Sequence, residues 1–140
     1  MPRSLRPQSF RLPEPLLERL RRAAARRSMS QTELVQQYLD EGLKMDDYPM
    51  IVFRSSPLGR RAMLEGTRLT VARVVETVRN SGGSVDEAAD YLRLSVLEVR
   101  ACVRYYADNR DEVDAYAALV DEENERLRLA WEREQSVLAS

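Results

Sequence analysis

Apolar residues recur along the chain in helical steps of three and four, with two short stretches of strand-like alternation. Leu16, Leu17, Leu20, Ala23 and Ala24 form one stripe, which predicts a helix that starts at Pro13–Pro15 and ends near Arg27. Ser30-Gln31-Thr32-Glu33 has the spacing of a capping box, and Leu34, Val35, Tyr38, Leu39 and Leu43 follow it on one face of a second helix. Gly42 weakens the end of that helix, and Asp46-Asp47-Tyr48-Pro49 closes it. Met50–Phe53 and Ala62–Leu64 are β-like runs around a Ser-Ser-Pro-Leu-Gly turn. A third helix is predicted over Val71–Asn80, and Gly82-Gly83 ends it. Capping boxes at Ser84 and Ser95 open two more helices, the first through Leu92 and the second carrying Val99, Cys102, Val103 and Tyr106. A last helix is expected from about Asp111 to near Gln135, on Val113, Tyr116, Ala117, Val120, Leu127 and Trp131. Its apolar stripe is narrow and broken by charge, so it needs a partner surface.

The N-terminal segment has the other period. Ser9, Phe10, Arg11 and Leu12 alternate polar and apolar, which predicts a short strand. One four-residue strand leaves its backbone groups unpaired, and the simplest remedy is the same strand of a second chain. Phe10 and Leu12 would then face the helices, and Pro7, Ser9 and Arg11 would face outward.

Charge sharpens this division. The chain of 140 residues has a net charge of −1, but its ends oppose one another. Residues 1–30 hold eight arginines against two glutamates, whereas residues 108–140 hold ten acids against four arginines. Screening over about 10 Å lets each end act on its own partners. The expectation is a basic binding end and an acidic tail. The arginines Arg19, Arg21, Arg22, Arg26 and Arg27 are open to two readings, a solvated helix face or general phosphate attraction.

Composition narrows the chemistry. Histidine is absent and Cys102 is the single cysteine, which excludes a disulfide framework, a Cys/His zinc site and His-based catalysis. Cys102 reads as a small core residue. There is no phosphate loop and no converging catalytic set, so no enzyme activity, cofactor, metal or small-molecule substrate is expected. Runs such as Asp121-Glu122-Glu123 are solvated helix faces. No apolar run reaches the ~18 residues of a membrane span, and the N-terminus lacks the pattern of a signal peptide. The expected location is the cytoplasm.

Gln8-Ser9-Phe10-Arg11-Leu12-Pro13-Glu14-Pro15-Leu16-Leu17-Glu18-Arg19-Leu20, followed by Ser28-Met29-Ser30-Gln31-Thr32-Glu33-Leu34, resembles the ribbon-helix-helix family of CopG, Arc and MetJ type. The resemblance implies a homodimer or higher oligomer that lays a two-stranded ribbon in the major groove of operator DNA. It puts Pro7, Ser9 and Arg11 at base-contacting positions; Pro7 has no donor to offer. Arg3 and Arg6 of the arm would touch phosphate, as would Ser30, Gln31 and Thr32 at the second helix N-terminus, where free N–H groups favour an anion. The dimer core would be Phe10, Leu12, Leu16, Leu20, Leu34, Val35, Tyr38 and Leu39.

Tyr48-Pro49-Met50-Ile51-Val52, Met63-Leu64-Glu65-Gly66-Thr67-Arg68-Leu69-Thr70-Val71 and Ser84-Val85-Asp86-Glu87-Ala88-Ala89 resemble a small uncharacterised family common in bacterial antitoxins. Its hallmark is Gly-Thr-Arg-Ile-Pro-Val; here Thr70 stands in place of the proline, and Gly59-Arg60-Arg61-Ala62 replaces the usual Gly-Gly-Arg-Pro. The resemblance implies a homeodomain-like three-helix bundle. Arg68 is expected to pair with a local carboxylate or carbonyl. The last two capped helices of this region have the form of a helix-turn-helix whose outward residues include Arg93, Glu98, Arg100 and Arg104. A packing role and a second DNA-reading role are both open for it, and nearby acids favour packing.

The expected architecture is therefore mainly α. It comprises a basic arm (1–8), a ribbon-helix-helix domain (9–46), a β-hairpin with a helix-turn-helix-like bundle (47–109) and a long C-terminal helix (110–140). This plan resembles VapB-type antitoxins, which implies a repressor of its own operon that masks a PIN-like ribonuclease toxin. Arg126, Leu127, Arg128, Trp131 and Arg133 would contact the toxin, since Trp and Arg are enriched at binding hot spots. The alternative is a stand-alone ribbon-helix-helix repressor whose last helix serves only oligomerisation.

Overall fold

Six helices and one hairpin follow each other in the computed structural model, which describes residues 4–140. The elements are α1 (Glu14–Arg26), α2 (Gln31–Asp47), β1 (Ile51–Ser56), β2 (Gly59–Leu64), α3 (Val71–Asn80), α4 (Val85–Leu92), α5 (Val96–Asp108) and α6 (Arg110–Ala139). The chain divides into two compact units, one ending at Gly42 and the other spanning Leu43–Ser140.

In the first unit, Pro15 sits in the first turn of α1, where its missing N–H costs nothing. Ser28 takes a left-handed conformation (φ 53°) after α1, and the Met29 N–H closes back on the Ala24 carbonyl at 3.0 Å. α2 runs unbroken through Gly42 to Asp47. Gly42 thus does not end it. Residues 4–13 belong to no helix or strand.

In the second unit the hairpin pairs Ile51 with Leu64 and Phe53 with Ala62. Pro57 and Leu58 form its two-residue loop, and Gly59 takes the positive φ (116°) that rejoins the strands. Both strands are longer than the sequence pattern predicts, because paired backbone carries Arg54 to Ser56 and Gly59 to Arg61 irrespective of their polarity. α3 and α5 pack on the hairpin and α4 packs on both of them, around a core of Ile51, Leu64, Val71, Val74, Ala88, Val99, Cys102 and Tyr105. Tyr105 lies at its centre, fully buried, with the rings of Tyr48 and Phe53 edge-on at 5.0 and 6.2 Å. α6 packs on α3, α5 and β2 through its first turns only. Val113 is buried and Tyr116, Ala117 and Val120 are half-buried. From Leu127 onward every residue except Ala130 is exposed. The last helix is thus part of the bundle at its start and unsupported at its end.

Candidate nucleic-acid interface and partner surfaces

The basic N-terminal segment is fully accessible. Arg6, Pro7, Ser9 and Arg11 are exposed; Arg3 lies outside the described residues. The adjoining apolar side chains are open as well. Phe10 is 70% exposed, and Leu12, Leu16, Tyr38 and Leu39 are also exposed, while Leu20 and Val35 are half-buried. Leu34 departs from this group: it is fully buried within the single chain, so it belongs to the chain's own core. Between α1 and α2 a groove of about 420 Å³ is lined by Leu16, Leu20, Ala23 and Tyr38 and rimmed by Arg19, Arg22 and Arg26. Two of the helix arginines have local partners: Arg21 faces Glu14 and Glu18, and Arg22 bonds Glu18 at 3.2 Å. Arg27 stacks over Tyr38 at 5.4 Å.

At the start of α2 the Ser30 hydroxyl accepts from the Glu33 N–H at 3.1 Å. The Leu34 N–H goes to the Ser30 carbonyl. The Gln31 and Thr32 amides have no acceptor among the described bonds, and both residues are exposed. Ser30 therefore caps the helix while two first-turn donors stay open to an anion.

In the second unit the Gly66-Thr67-Arg68 segment is a turn. Gly66 has φ 76°, and the Thr67 hydroxyl donates to the Leu64 carbonyl (2.8 Å) while accepting from the Leu69 N–H (3.0 Å). Thr70 then caps α3 by accepting from the Arg73 N–H at 3.1 Å. That role accounts for a hydroxyl where the resembling family has proline. Arg68 is exposed and makes none of the described bonds, so the expected pairing with a carboxylate or carbonyl is not made. Thr67 holds the turn instead.

α4 and α5 meet at Arg93, which is left-handed (φ 57°), and the Leu94 N–H returns to the Ala89 carbonyl at 2.9 Å. Ser95 and Glu98 complete a reciprocal capping box, with bonds of 3.1 and 3.0 Å. Glu98 is thereby tied to the cap, while Arg93, Arg100 and Arg104 remain exposed. Arg100 and Arg104 edge a shallow groove of about 300 Å³ whose floor is Tyr48, Pro49, Met50 and Leu97, with Asp47 beside them. Cys102 is fully buried, and burial and the nearby Glu98 carboxylate push its thiol up to about 12. It is a core residue and not a nucleophile.

A hydrogen-bonded set anchors the start of α6, and the sequence pattern did not reveal it. The Tyr48 hydroxyl donates to Asp108 at 2.6 Å, which raises the tyrosine pKa because the neutral phenol is the donor. Tyr105 donates to Glu112, and Lys44 reaches the same carboxylate at 3.3 Å. Arg79 donates to the Tyr106 hydroxyl at 2.7 Å, which in turn donates to Asp114 at 2.9 Å. The neighbouring tyrosines and the acids of the next first turn were visible as residues. Their pairing with Lys44, Tyr48 and Arg79 spans up to 68 positions and is set by the tertiary fold.

On the exposed part of α6, Leu127, Trp131 and Arg133 are free of bonds among those described. Arg126 and Arg128 are not. Arg126 bonds Glu123 through two nitrogens, and Arg128 bonds both Glu125 and Glu132.

The hairpin, the Gly-Thr-Arg turn and α3 to α5 thus form one module. Residues 51–106 match the family described as "Protein of unknown function (DUF433)". The match covers less than half of the chain. No curated protein and no solved structure matches. The DUF433 segment begins at the first residue of β1 and ends within α5, so it coincides with the bundle and leaves out both the N-terminal unit and α6. Among the described residues no cluster of His, Cys, Asp and Glu is arranged for a metal ion, and no helix is long and apolar enough to cross a membrane.

Proposed function

We propose that this protein is a sequence-specific DNA-binding repressor that acts as a dimer through its N-terminal ribbon-helix-helix region. One observation carries the proposal: the exposed apolar residues Phe10, Leu12 and Leu16 follow one another in sequence with the accessible Arg6, Ser9 and Arg11, and Tyr38 and Leu39 stay exposed on α2 of the same unit. Apolar side chains of that size gain about 1.5–3 kcal/mol each on full burial, so a second copy is the occupant they favour. Pairing residues 9–12 of two chains would satisfy their backbone and turn Ser9 and Arg11 outward, in the spacing a major groove accepts. The open Gln31 and Thr32 amides would hold a phosphate beside it.

Two plans share this reader. In the antitoxin plan the protein represses its own operon, and Leu127, Trp131 and Arg133 engage a PIN-like toxin. In the stand-alone plan α6 joins copies of the chain. The pairing of Arg126 and Arg128 with glutamates of their own helix favours the second, since those guanidinium groups are already neutralised locally.

The decisive experiment is binding-site selection with wild type and Arg11→Ala. The variant should remain folded and dimeric but lose preference among DNA sequences by about 10- to 100-fold, the worth of one bidentate base contact of ~1–3 kcal/mol. Unchanged sequence preference would sink the ribbon assignment. Co-expression with the product of a neighbouring reading frame separates the two plans: retention of a ribonuclease by the full-length chain supports the antitoxin.

A further inference from the structure

The α6 stripe has a symmetry of its own. The side chains that pack on the bundle, Val113, Ala117 and Val120, are spaced four and three apart. The same spacing continues beyond the core as Asn124, Leu127, Trp131, Glu134 and Leu138. Read from either end, positions 120 to 138 give the same order: apolar, polar, apolar, apolar, polar, apolar. Leu127 is 52% exposed, Trp131 58% and Leu138 77%, so the outer stripe lacks cover within the chain.

We infer that the outer half of α6 pairs antiparallel with α6 of a second copy, around a two-fold axis level with Leu129. This deepens the stand-alone reading of α6 and is independent of what the N-terminal unit binds. In that register Leu127 meets the second copy's Trp131 and Asn124 meets its Glu134, while its Leu138 comes level with Val120, where the stripe passes under the bundle. These are the layers of an antiparallel two-stranded coil, in which alternating three- and four-residue steps keep the seam facing the partner. The pairing is isologous and closes on itself, so it requires no other chain. The Asn124 amide can donate to the opposite Glu134 carboxylate, satisfying both polar positions within the seam.

The parallel alternative sets Glu134 against Glu134 and Trp131 against Trp131, which places like charges together. Charges flanking the antiparallel seam are accommodated. Ala130 and Val137 widen the apolar face on one side. On the other side Arg128 meets its own counterpart, already neutralised by Glu125 and Glu132 of its helix. Continuity with the bundle supports the pairing further. The Tyr105–Glu112 and Tyr106–Asp114 bonds fix the start of α6, so the exposed part continues from an anchored helix and needs no separate nucleation.

The test uses the full chain and its single tryptophan. Leu127→Cys and Trp131→Cys are made separately, and the two variants are also co-expressed. Under mild oxidation the co-expressed pair should form mixed disulfides, while each variant alone should not; buried Cys102 stays reduced. In wild type, Trp131 emission should be blue-shifted and shielded from iodide, and Leu138→Asp should red-shift it and at least double the quenching constant. Cross-linking of each variant with itself would overturn the antiparallel register. Solvent-exposed Trp131 emission that Leu138→Asp leaves unchanged, without a mixed disulfide, would overturn the pairing, as would Trp131 becoming shielded only when a different protein is added. Arg11→Ala should change none of these readouts, so failure of the DNA reading and failure of the pairing are told apart.

Discussion

Arg93 and Cys102 show how much single residues can carry. Arg93 bends the chain between α4 and α5 in the left-handed region, where a side chain costs roughly 1–2 kcal/mol. Glycine would remove that cost at an entropic penalty of about 0.5–1 kcal/mol. Arg93→Gly is therefore expected to raise stability by about 0.5 kcal/mol, read as a shift in the denaturant midpoint without a change in slope. Cys102 makes a pH prediction. Its thiol is raised from 9.0 to about 12 in the folded chain. Below pH 9 the thiol is neutral in both states and its burial stabilises fully. As the pH rises from 9 toward 12 only the unfolded chain ionises, and stability falls. At neutral pH a thiol reagent should label Cys102 no faster than the bundle unfolds; rapid native-state labelling would contradict the burial. These two residues were unequally legible. A lone cysteine among valines already read as core, whereas an arginine at a left-handed turn carries no local signal. Arg68 shows the same limit, since its motif suggested a bond that the Thr67 hydroxyl made unnecessary.

Elements depended on capping and period, and those are local. Ser95 with Glu98, and Thr70 at the start of α3, fix helix starts by bonds within three residues. The spacing of valines therefore places α3 at Val71–Asn80 from sequence alone. α6 is the contrasting case. Its period predicts a helix but not where support ends. The structure makes residues 110–120 part of the bundle and leaves those from Leu127 nearly bare. Truncation should reveal the difference. Ending the chain at Asp121 should leave the bundle's melting temperature nearly unchanged. Ending it at Asn109 strips cover from Tyr106 and removes Glu112 and Asp114 from their tyrosines. That truncation should cost several kcal/mol, about the sum of the lost packing of Val113 and the two lost tyrosine–carboxylate bonds. Thermal unfolding of the two truncated chains measures this directly; equal melting temperatures would show that α6 is only an appendage.

At the scale of the molecule, the two units divide the work by charge and cover. The basic N-terminal unit leaves apolar side chains exposed beside its arginines, whereas the second unit buries its core around Tyr105. A protein of this plan should lose DNA affinity steeply with salt, since each phosphate contact releases a counterion. Two arginine–phosphate contacts per dimer, from Arg6 of each chain, would give a log–log slope of about −1.8, the neutral amides of Gln31 and Thr32 adding little. A slope near zero would argue against phosphate contact. The α6 pair would respond to mutation of Leu138 and not to salt alone.

The sequence by itself determined what short-range rules govern: the helix starts, the hairpin turn, the buried cysteine, and the separation of a basic end from an acidic one. Spacing of three and four, capping within three residues and turn glycines act over a few bonds, so they are legible without a fold. Only the tertiary structure decided which apolar side chains find cover in their own chain. Leu34 does and Leu39 does not; Val113 does and Trp131 does not, although each pair lies on one helical stripe. Cover depends on what distant segments bring alongside. Lys44 reaches Glu112 in the first turn of α6, and Tyr48 and Arg79 reach Asp108 and Tyr106 at the end of α5, bonds between segments 27 to 68 positions apart that no local pattern foretells.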